Sequence, residues 1–269
     1  MMAAERALRA GTEGALPLVA RGARVLAVGS RIVGRRLLDL ALPPVCCVCE
    51  RPLAEDVGLC MPCWSRLTLI ERPYCERLGT PLAYDIGPGA LSAAAIAEPP
   101  PFGRARAVCV HDEISRALVH GLKYRDRLEL APLMARWMLR ASDGLVHEAN
   151  LIVPVPLHPR RLWRRRFNQS ALLAREIGSQ ADRPVLLEGL QRIRATPRQV
   201  GLDAAARAAN VRGAFKVDGP HRAALEGRRI LLVDDVVTTG ATLGACVRAL
   251  VRAGAASVDV LTFARVHNR

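Results

Sequence analysis

Ile230-Leu231-Leu232-Val233-Asp234-Asp235-Val236-Val237-Thr238-Thr239-Gly240-Ala241-Thr242 is the stretch on which the reading of this chain turns. Four successive apolar residues have the continuous character of a strand buried on both faces. They deliver two carboxylates to the strand's end, where small hydroxyl residues and one glycine open a helical pattern that runs to about residue 253. Such a turn sets backbone N–H groups and the hydroxyls of Thr238, Thr239 and Thr242 at the positive end of a helix, a cradle for phosphate. Asp234 and Asp235 can accept hydrogen bonds from a vicinal diol such as ribose. A bare acidic pair would equally suit a magnesium-binding strand end or an N-capped helix after an acidic turn. The full thirteen residues favour the phosphate cradle.

On either side of this run, apolar segments alternate with helical ones. Residues 107–111, 151–156 and 258–263 read as further strands, with helices near 115–122, 127–141, 169–180 and 241–253. The alternation predicts an α/β fold, a mainly parallel sheet covered by helices on both faces, whose ligands sit at the carboxyl ends of the strands. No internal repeat and no extended low-complexity segment is apparent.

After the strand at 151–156 comes His158-Pro159-Arg160-Arg161-Leu162-Trp163-Arg164-Arg165-Arg166-Phe167-Asn168-Gln169. Read as a loop, its arginines suit a polyanion such as pyrophosphate. Trp163 and Phe167 also offer stacking faces between cations, as a grip on single-stranded nucleic acid requires. A plain solvated basic loop is the third reading. Residues 194–199 (RATPRQ) fall between expected elements, as a mobile flap or an ordinary surface loop. His111, His120, His147 and His221 have no partner identifiable from sequence.

Six of eight cysteines fall between Cys46 and Cys75, a clustering unlike a disulfide framework. Cys46 with Cys49 and Cys60 with Cys63 form two C-x-x-C pairs separated by ten residues, which can present four thiolates to one tetrahedral structural zinc. A redox pair or incidental buried thiols are the alternatives, and Cys47 competes for the first position. A closed four-thiolate shell leaves no open coordination position, so this metal is not expected to be catalytic. For a segment with almost no apolar core, metal binding would also supply folding free energy.

The 269 residues are 51% apolar and 24% charged, which excludes a disordered or fibrous chain. The net charge of +14 puts anionic partners first, although all basic residues but Lys123 and Lys216 are Arg, an excess that accompanies the Ala-rich composition. No stretch of about 20 residues is free of charge, so a transmembrane helix is not expected. Residues 15–42 carry an amphipathic helical pattern crossed by Arg21, Arg24, Arg31 and Arg35, and no secretory signal is recognisable. A soluble protein in the reducing cytoplasm follows as the expectation. The domains read as an N-terminal extension with an amphipathic helix (1–42), a zinc ribbon (43–86), a Gly/Ala/Pro-rich linker (87–104) and an α/β domain (105–269).

Taken together, these residues resemble a known family. The run 230–242 is similar to the phosphoribosyl pyrophosphate (PRPP) motif of type I phosphoribosyltransferases. LALPPVCCVC (40–49), Leu122-Lys123-Tyr124, Val153-Pro154-Val155-Pro156-Leu157-His158, Phe167-Asn168-Gln169-Ser170, RATPRQ (194–199) and NVRGAF (210–215) narrow the resemblance to the ComF family over residues 37–265. That family is phosphoribosyltransferase-like with an N-terminal zinc ribbon. The resemblance implies PRPP binding with Mg²⁺ by Asp234, Asp235 and residues 236–242, with both aspartates in the catalytic site. It also implies pyrophosphate or polyanion contact by His158, Arg160, Arg161, Arg164 and Arg165, and phosphoribosyl transfer to a nitrogen acceptor of unknown identity. The alternative is a non-catalytic module of competence, the uptake and processing of DNA, that binds PRPP or nucleotide together with single-stranded DNA or a competence helicase. Assembly into a homo-oligomer stays open. Two departures stand out. Leu78 takes the place of a cysteine expected after Cys75, and Arg166 replaces the glycine of the family's R-G-F-N-Q.

Overall fold

The structure is a computed structural model and describes residues 44–54, 58–124, 127–195 and 209–266. The amphipathic helix expected within 1–42 and residues 196–199 of the flap segment lie outside the described residues. In chain order the elements are α1 (Met61–Trp64), α2 (Ala93–Ala97), β1 (Ala105–Val110), α3 (Glu113–Tyr124), α4 (Leu130–Ala141), α5 (Leu145–Glu148), β2 (Leu151–Pro154), α6 (Pro159–Arg165), α7 (Gln169–Ala181), β3 (Gln191–Arg192), β4 (Phe215–Lys216), α8 (Gly219–Leu225), β5 (Arg229–Val237), α9 (Ala241–Arg252) and β6 (Ser257–Arg265).

The four apolar runs pair as one all-parallel sheet in the order β1-β6-β5-β2. Ile230 to Val233 are buried because helices cover both faces, and the strand period of two sorts their side chains. Leu231, Val233, Leu261 and Phe263 join the apolar side of α3, α4 and α7, including Leu122, Met134 and Ile177. Ile230, Leu232, Val258 and Val260 join Leu243, Cys246 and Leu250 of α9 on the other face. Each such side chain contributes roughly 1.5–3 kcal/mol on burial. The register sets Pro154 beside Val233 and Asp234 beside Thr262, so the ends of β2, β5 and β6 open on one rim.

The basic stretch read as a loop is instead the short helix α6. Pro159 stands in its first turn, where a missing N–H costs nothing, and the His158 Nδ1 accepts the Arg160 N–H at 3.2 Å. The helix ends at Arg166, which adopts φ 66°, the left-handed conformation favoured by glycine. The family's glycine is replaced while its backbone conformation is kept.

Correcting the expectation of no internal repeat, the cysteine-rich region is built twice. Cys46 N–H donates to Arg51 O, Glu50 N–H to Cys46 O and Leu53 N–H to Pro44 O. The same bonds recur 29 residues on, from Cys75 to Thr80, Gly79 to Cys75 and Leu82 to Pro73. Glu50 and Gly79 share a left-handed φ of 60° and 65°. Beyond the turn, Cys47 N–H donates to Gly58 O and Glu76 N–H to Ala90 O, and each unit closes on a one-turn helix, α1 or α2. Little in the side chains marks this duplication, because hydrogen bonds of the main chain carry it.

The cysteine-rich region is fixed to the α/β core. Residues 68–70 lie antiparallel to β1, with Ile70 N–H donating to Val108 O and Val110 N–H to Thr68 O. Trp64 meets Trp137 edge-on at 5.3 Å between centroids, and Trp137 stacks on Phe263 at 6.1 Å. At the far edge, residues 184–186 run beside β2, where Ile152 N–H donates to Pro184 O and Leu186 N–H to Ile152 O.

Candidate functional site

At the carboxyl end of β5 the chain leaves the sheet through Thr238 and Thr239 and enters α9 at Gly240, whose φ of 77° an L side chain would strain. Two hollows meet over this turn. The first, about 360 Å³, lies between the turn and α3 and is bordered by His111, Arg116, His120, Thr238 and Gly240. The second, about 500 Å³, lies toward α6 and is bordered by Arg160, Arg161, Arg164, Arg165 and Arg192. Lys123, Tyr124, Asp234 and Thr242 border both, so they form one two-lobed cleft.

The acidic pair lies on its floor. Asp234 Oδ1 accepts the Ser170 hydroxyl at 2.7 Å and the Asp235 N–H at 2.9 Å, and Asp235 Oδ1 accepts Gln169 Nε2 at 3.1 Å. Gln169 and Ser170 open α7, and Asn168 caps it through the Ser170 N–H, so the segment Asn168-Gln169-Ser170 serves to hold the two aspartates. Lys123, near the end of α3, pairs with the other oxygen of Asp235. Asp235 is 4% exposed. Burial, followed by repulsion from Asp235, pushes Asp234 up to about 7 against the pull of Ser170 and Lys123. The Asp234 carboxyl is thus held close to the limit of what the site can keep ionised.

Arg165 turns back from α6 to donate to the Tyr124 hydroxyl at 2.7 Å and stacks over its ring at 4.8 Å, closing the cleft between its lobes. His111 is held below its ordinary range by burial, then by Arg116 and Lys123, so a neutral imidazole faces the first lobe. Of the residues expected from sequence, Asp234, Asp235, Val236, Val237, Thr238, Gly240, Ala241, Thr242 and the four arginines of α6 border the cleft. Thr239 is exposed and His158 caps α6, and neither borders it. Lys123, Tyr124, His111, Arg116 and His120 were not expected as site residues. Arg116, His120, Lys123 and Tyr124 form one polar stripe of α3 at spacings of four, three and one. That stripe is the signal that was open to a reader of the sequence.

The other chemical cluster is remote from this cleft. The sulfurs of Cys46, Cys49, Cys60 and Cys63 all lie within 4.8 Å of one another, with Cys49 and Cys60 at 3.5 Å. Sulfurs bound tetrahedrally to zinc are about 3.8 Å apart, so the four fit one ion. Burial would raise the Cys46 thiol, but N–H groups of Cys49, Cys60 and Val48 outweigh it and bring it down to about 6, favouring the thiolate a metal needs. Cys47 stands outside the cluster, with burial pushing its thiol up.

Comparison with known proteins agrees with both parts. The double zinc ribbon domain family matches residues 37–96, and the phosphoribosyl transferase domain family matches residues 170–269. The chain is 35% identical over 233 residues to DNA utilization protein YhgH of Escherichia coli K12, covering 84% of this chain and 99% of that protein. It is 30% identical over 213 residues to competence protein F of Haemophilus influenzae, covering 77% and 90%. A solved structure described as the allosteric regulatory enzyme of purine biosynthesis is 26% identical at a TM-score of 0.34, over 49% of this chain and 25% of that one. Among the described residues no helix is long and apolar enough to cross a membrane.

Proposed function

The chain belongs to the ComF family, that of DNA utilization protein YhgH and competence protein F, and on that footing we propose that its two-lobed cleft binds PRPP. The observation that carries this reading is the convergence of three recognition elements on one rim. The N-terminus of α9 meets the 5′-phosphate through residues 238–242. Asp234, with Asp235 beside it, accepts hydrogen bonds from the ribose hydroxyls. The α6 arginines, of which Arg160, Arg161, Arg164 and Arg165 border the second lobe, match a pyrophosphate.

In phosphoribosyl transfer, the bond between C1 and the pyrophosphate oxygen breaks with its electron pair leaving on pyrophosphate. A nitrogen lone pair of the acceptor then forms the new bond to C1 and the acceptor gives up a proton. Arginines of α6 stabilise the charge that gathers on the departing pyrophosphate, and the carboxylate of Asp234 stabilises the positive character at C1. The hard carboxylate oxygens of Asp234 would suit a magnesium ion, which would supply neutralisation of leaving-group charge when bound. His111, neutral and facing the first lobe, has the chemistry of a proton acceptor there.

The test is calorimetric titration of PRPP into the protein with and without Mg²⁺, repeated on the Asp234→Asn, Asp235→Asn double variant. Magnesium-dependent binding is expected, and it disappears in the variant while the circular dichroism spectrum stays that of the parent. Unchanged affinity in the variant would remove the ribose assignment.

A second reading concerns single-stranded DNA and rests on Trp163. This side chain is 87% exposed on α6, between Arg160 and Arg161 on one side and Arg164 and Arg165 on the other. A bare indole flanked by guanidinium groups is a stacking platform with its own phosphate contacts. The names of the relatives, DNA utilization and competence, support this use. Both ligands would meet at the α6 arginines, so DNA and PRPP are expected to compete.

A further inference from the structure

The duplicated architecture of the cysteine-rich region assigns a position in the second unit to each zinc ligand of the first. Cys46 corresponds to Cys75 and Cys49 to Leu78 through the turn hydrogen bonds that recur 29 residues on. Cys60 and Cys63 correspond to Ser92 and Ala95. Cys60 is the N-cap of α1 with φ −68° and ψ 159°, and Ser92 is the N-cap of α2 with φ −72° and ψ 154°. Cys63 N–H donates to Cys60 O at 3.0 Å, and Ala95 N–H to Ser92 O at 2.9 Å. The agreement extends to the sulfurs. Cys46 accepts N–H bonds from Cys49 and Cys60, and Cys75 accepts them from Leu78 at 3.4 Å and Ser92 at 3.3 Å. The two knuckles therefore have one geometry and different chemistry.

We propose that the second unit is a zinc ribbon that stands without metal, with Cys75, Leu78, Ser92 and Ala95 in its four ligand positions, so that the chain carries one zinc ion and not two. Leu78 and Ala95 have no donor atom and a serine hydroxyl is a poor zinc ligand, so one thiolate remains where four are needed. Contacts to the α/β core replace the ion. Arg106, 3% exposed, donates to Glu76 O at 2.8 Å and pairs with the Glu76 carboxylate. Arg265 donates to Leu78 O at 2.6 Å, Ala105 N–H to Arg77 O at 2.9 Å, and the Tyr74 hydroxyl to Asp143 at 2.8 Å. Ser92 Oγ accepts the Ala95 N–H, so the serine that replaced a ligand now caps its helix. The first unit keeps its metal and the second is held by β1, β6 and Asp143, independently of what the cleft binds.

Metal analysis of the purified full chain tests this directly. One equivalent of zinc is expected, retained in Cys75→Ser and lost in the Cys60→Ser, Cys63→Ser variant. The Leu78→Cys, Ser92→Cys, Ala95→Cys variant is expected to hold two equivalents. Two equivalents in the unchanged chain, falling to one in Cys75→Ser, would overturn the proposal, as would one equivalent in a triple variant that unfolds at the parent's temperature. Hydrogen exchange on the unchanged chain decides the matter even if the triple variant does not fold. After zinc is removed with a chelator, the amides of Cys49 and Cys63 should lose protection while those of Glu76, Gly79 and Ala95 keep it. Loss of protection in both units together would refute a metal-free second ribbon.

Discussion

Replacing Lys123 by Met tests the charge balance on which the cleft depends. The methionine keeps the length and apolar stem of the lysine but removes the ammonium that pairs with Asp235. The side chains of Lys123 and Asp235 are 19% and 5% exposed, so the pair is largely buried. Removing one partner of such a pair costs about 3–5 kcal/mol, and the residual exposure of Lys123 puts this case near 3 kcal/mol. At about 2–4 °C per kcal/mol for a domain of this size, the unfolding temperature at pH 8 should fall by about 6–12 °C. Acidification should close that gap. Asp234 already titrates near 7, well above an unfolded aspartate, so between about pH 4 and 7 the folded state binds the extra proton and stability falls as pH rises. Without Lys123, an attraction that lowers Asp234 is gone, so its midpoint moves further up and the variant suffers most above pH 7. At pH 5.5 the deficit should be smaller than at pH 8. Thermal unfolding of both proteins from pH 5 to 9 reads this out, and Lys123→Arg should restore most of the loss. Equal unfolding temperatures at pH 8, or a deficit that does not change with pH, would show that Lys123 does not balance the acidic pair.

Magnesium-dependent PRPP binding should strengthen as pH rises through about 7, where Asp234 becomes ionised, and calorimetry in buffers of different protonation enthalpy should detect the released proton. Trp163→Ala should weaken single-stranded DNA binding by about 1–3 kcal/mol with little change in unfolding temperature, since this side chain is 87% exposed. Changing Arg164 and Arg165 to Ala should reduce the slope of log K against log salt by about 1.4, at roughly 0.7 for each single-strand phosphate contact. Arg166→Gly should raise stability by about 1 kcal/mol by relieving a left-handed backbone, which differential scanning calorimetry would register.

The sheet was legible because its evidence is local. Residues 230–233 are apolar without interruption and residues 258–263 are apolar except at Asp259 and Thr262, as strands covered on both faces require, and the acidic pair with its small-residue turn marks where the strand ends. The zinc cluster was legible for the same reason, since spacing alone brings its sulfurs together. What escaped depends on contacts across the fold. Lys123 is an ordinary lysine until α3 sets it over Asp235, 112 positions away in the chain. His111 becomes a cleft residue only because β1 ends beside β6. The basic stretch was misread as a loop because five arginines outweighed a weaker local sign, a proline in the first turn after a residue able to cap. The duplicated ribbon was hidden because substitution removed three of the side chains that would have announced it.

The four-stranded sheet has two outer strands, β1 and β2, and neither presents an open row of main-chain donors and acceptors. Residues 68–70 occupy the outer side of β1 and residues 184–186 that of β2. Open strand edges template pairing with other chains, so these two segments act against self-association. The protection of β1 comes from the stretch that joins the two ribbon units. That stretch is anchored from the second unit, since Ile70 packs with Tyr74 against Ala107 of β1, so a chain that fails to acquire its metal keeps the cover over residues 108–110. The guard of the sheet edge thus belongs to the half of the region that needs no ion, and poor zinc loading should loosen the first unit without baring the edge to other chains.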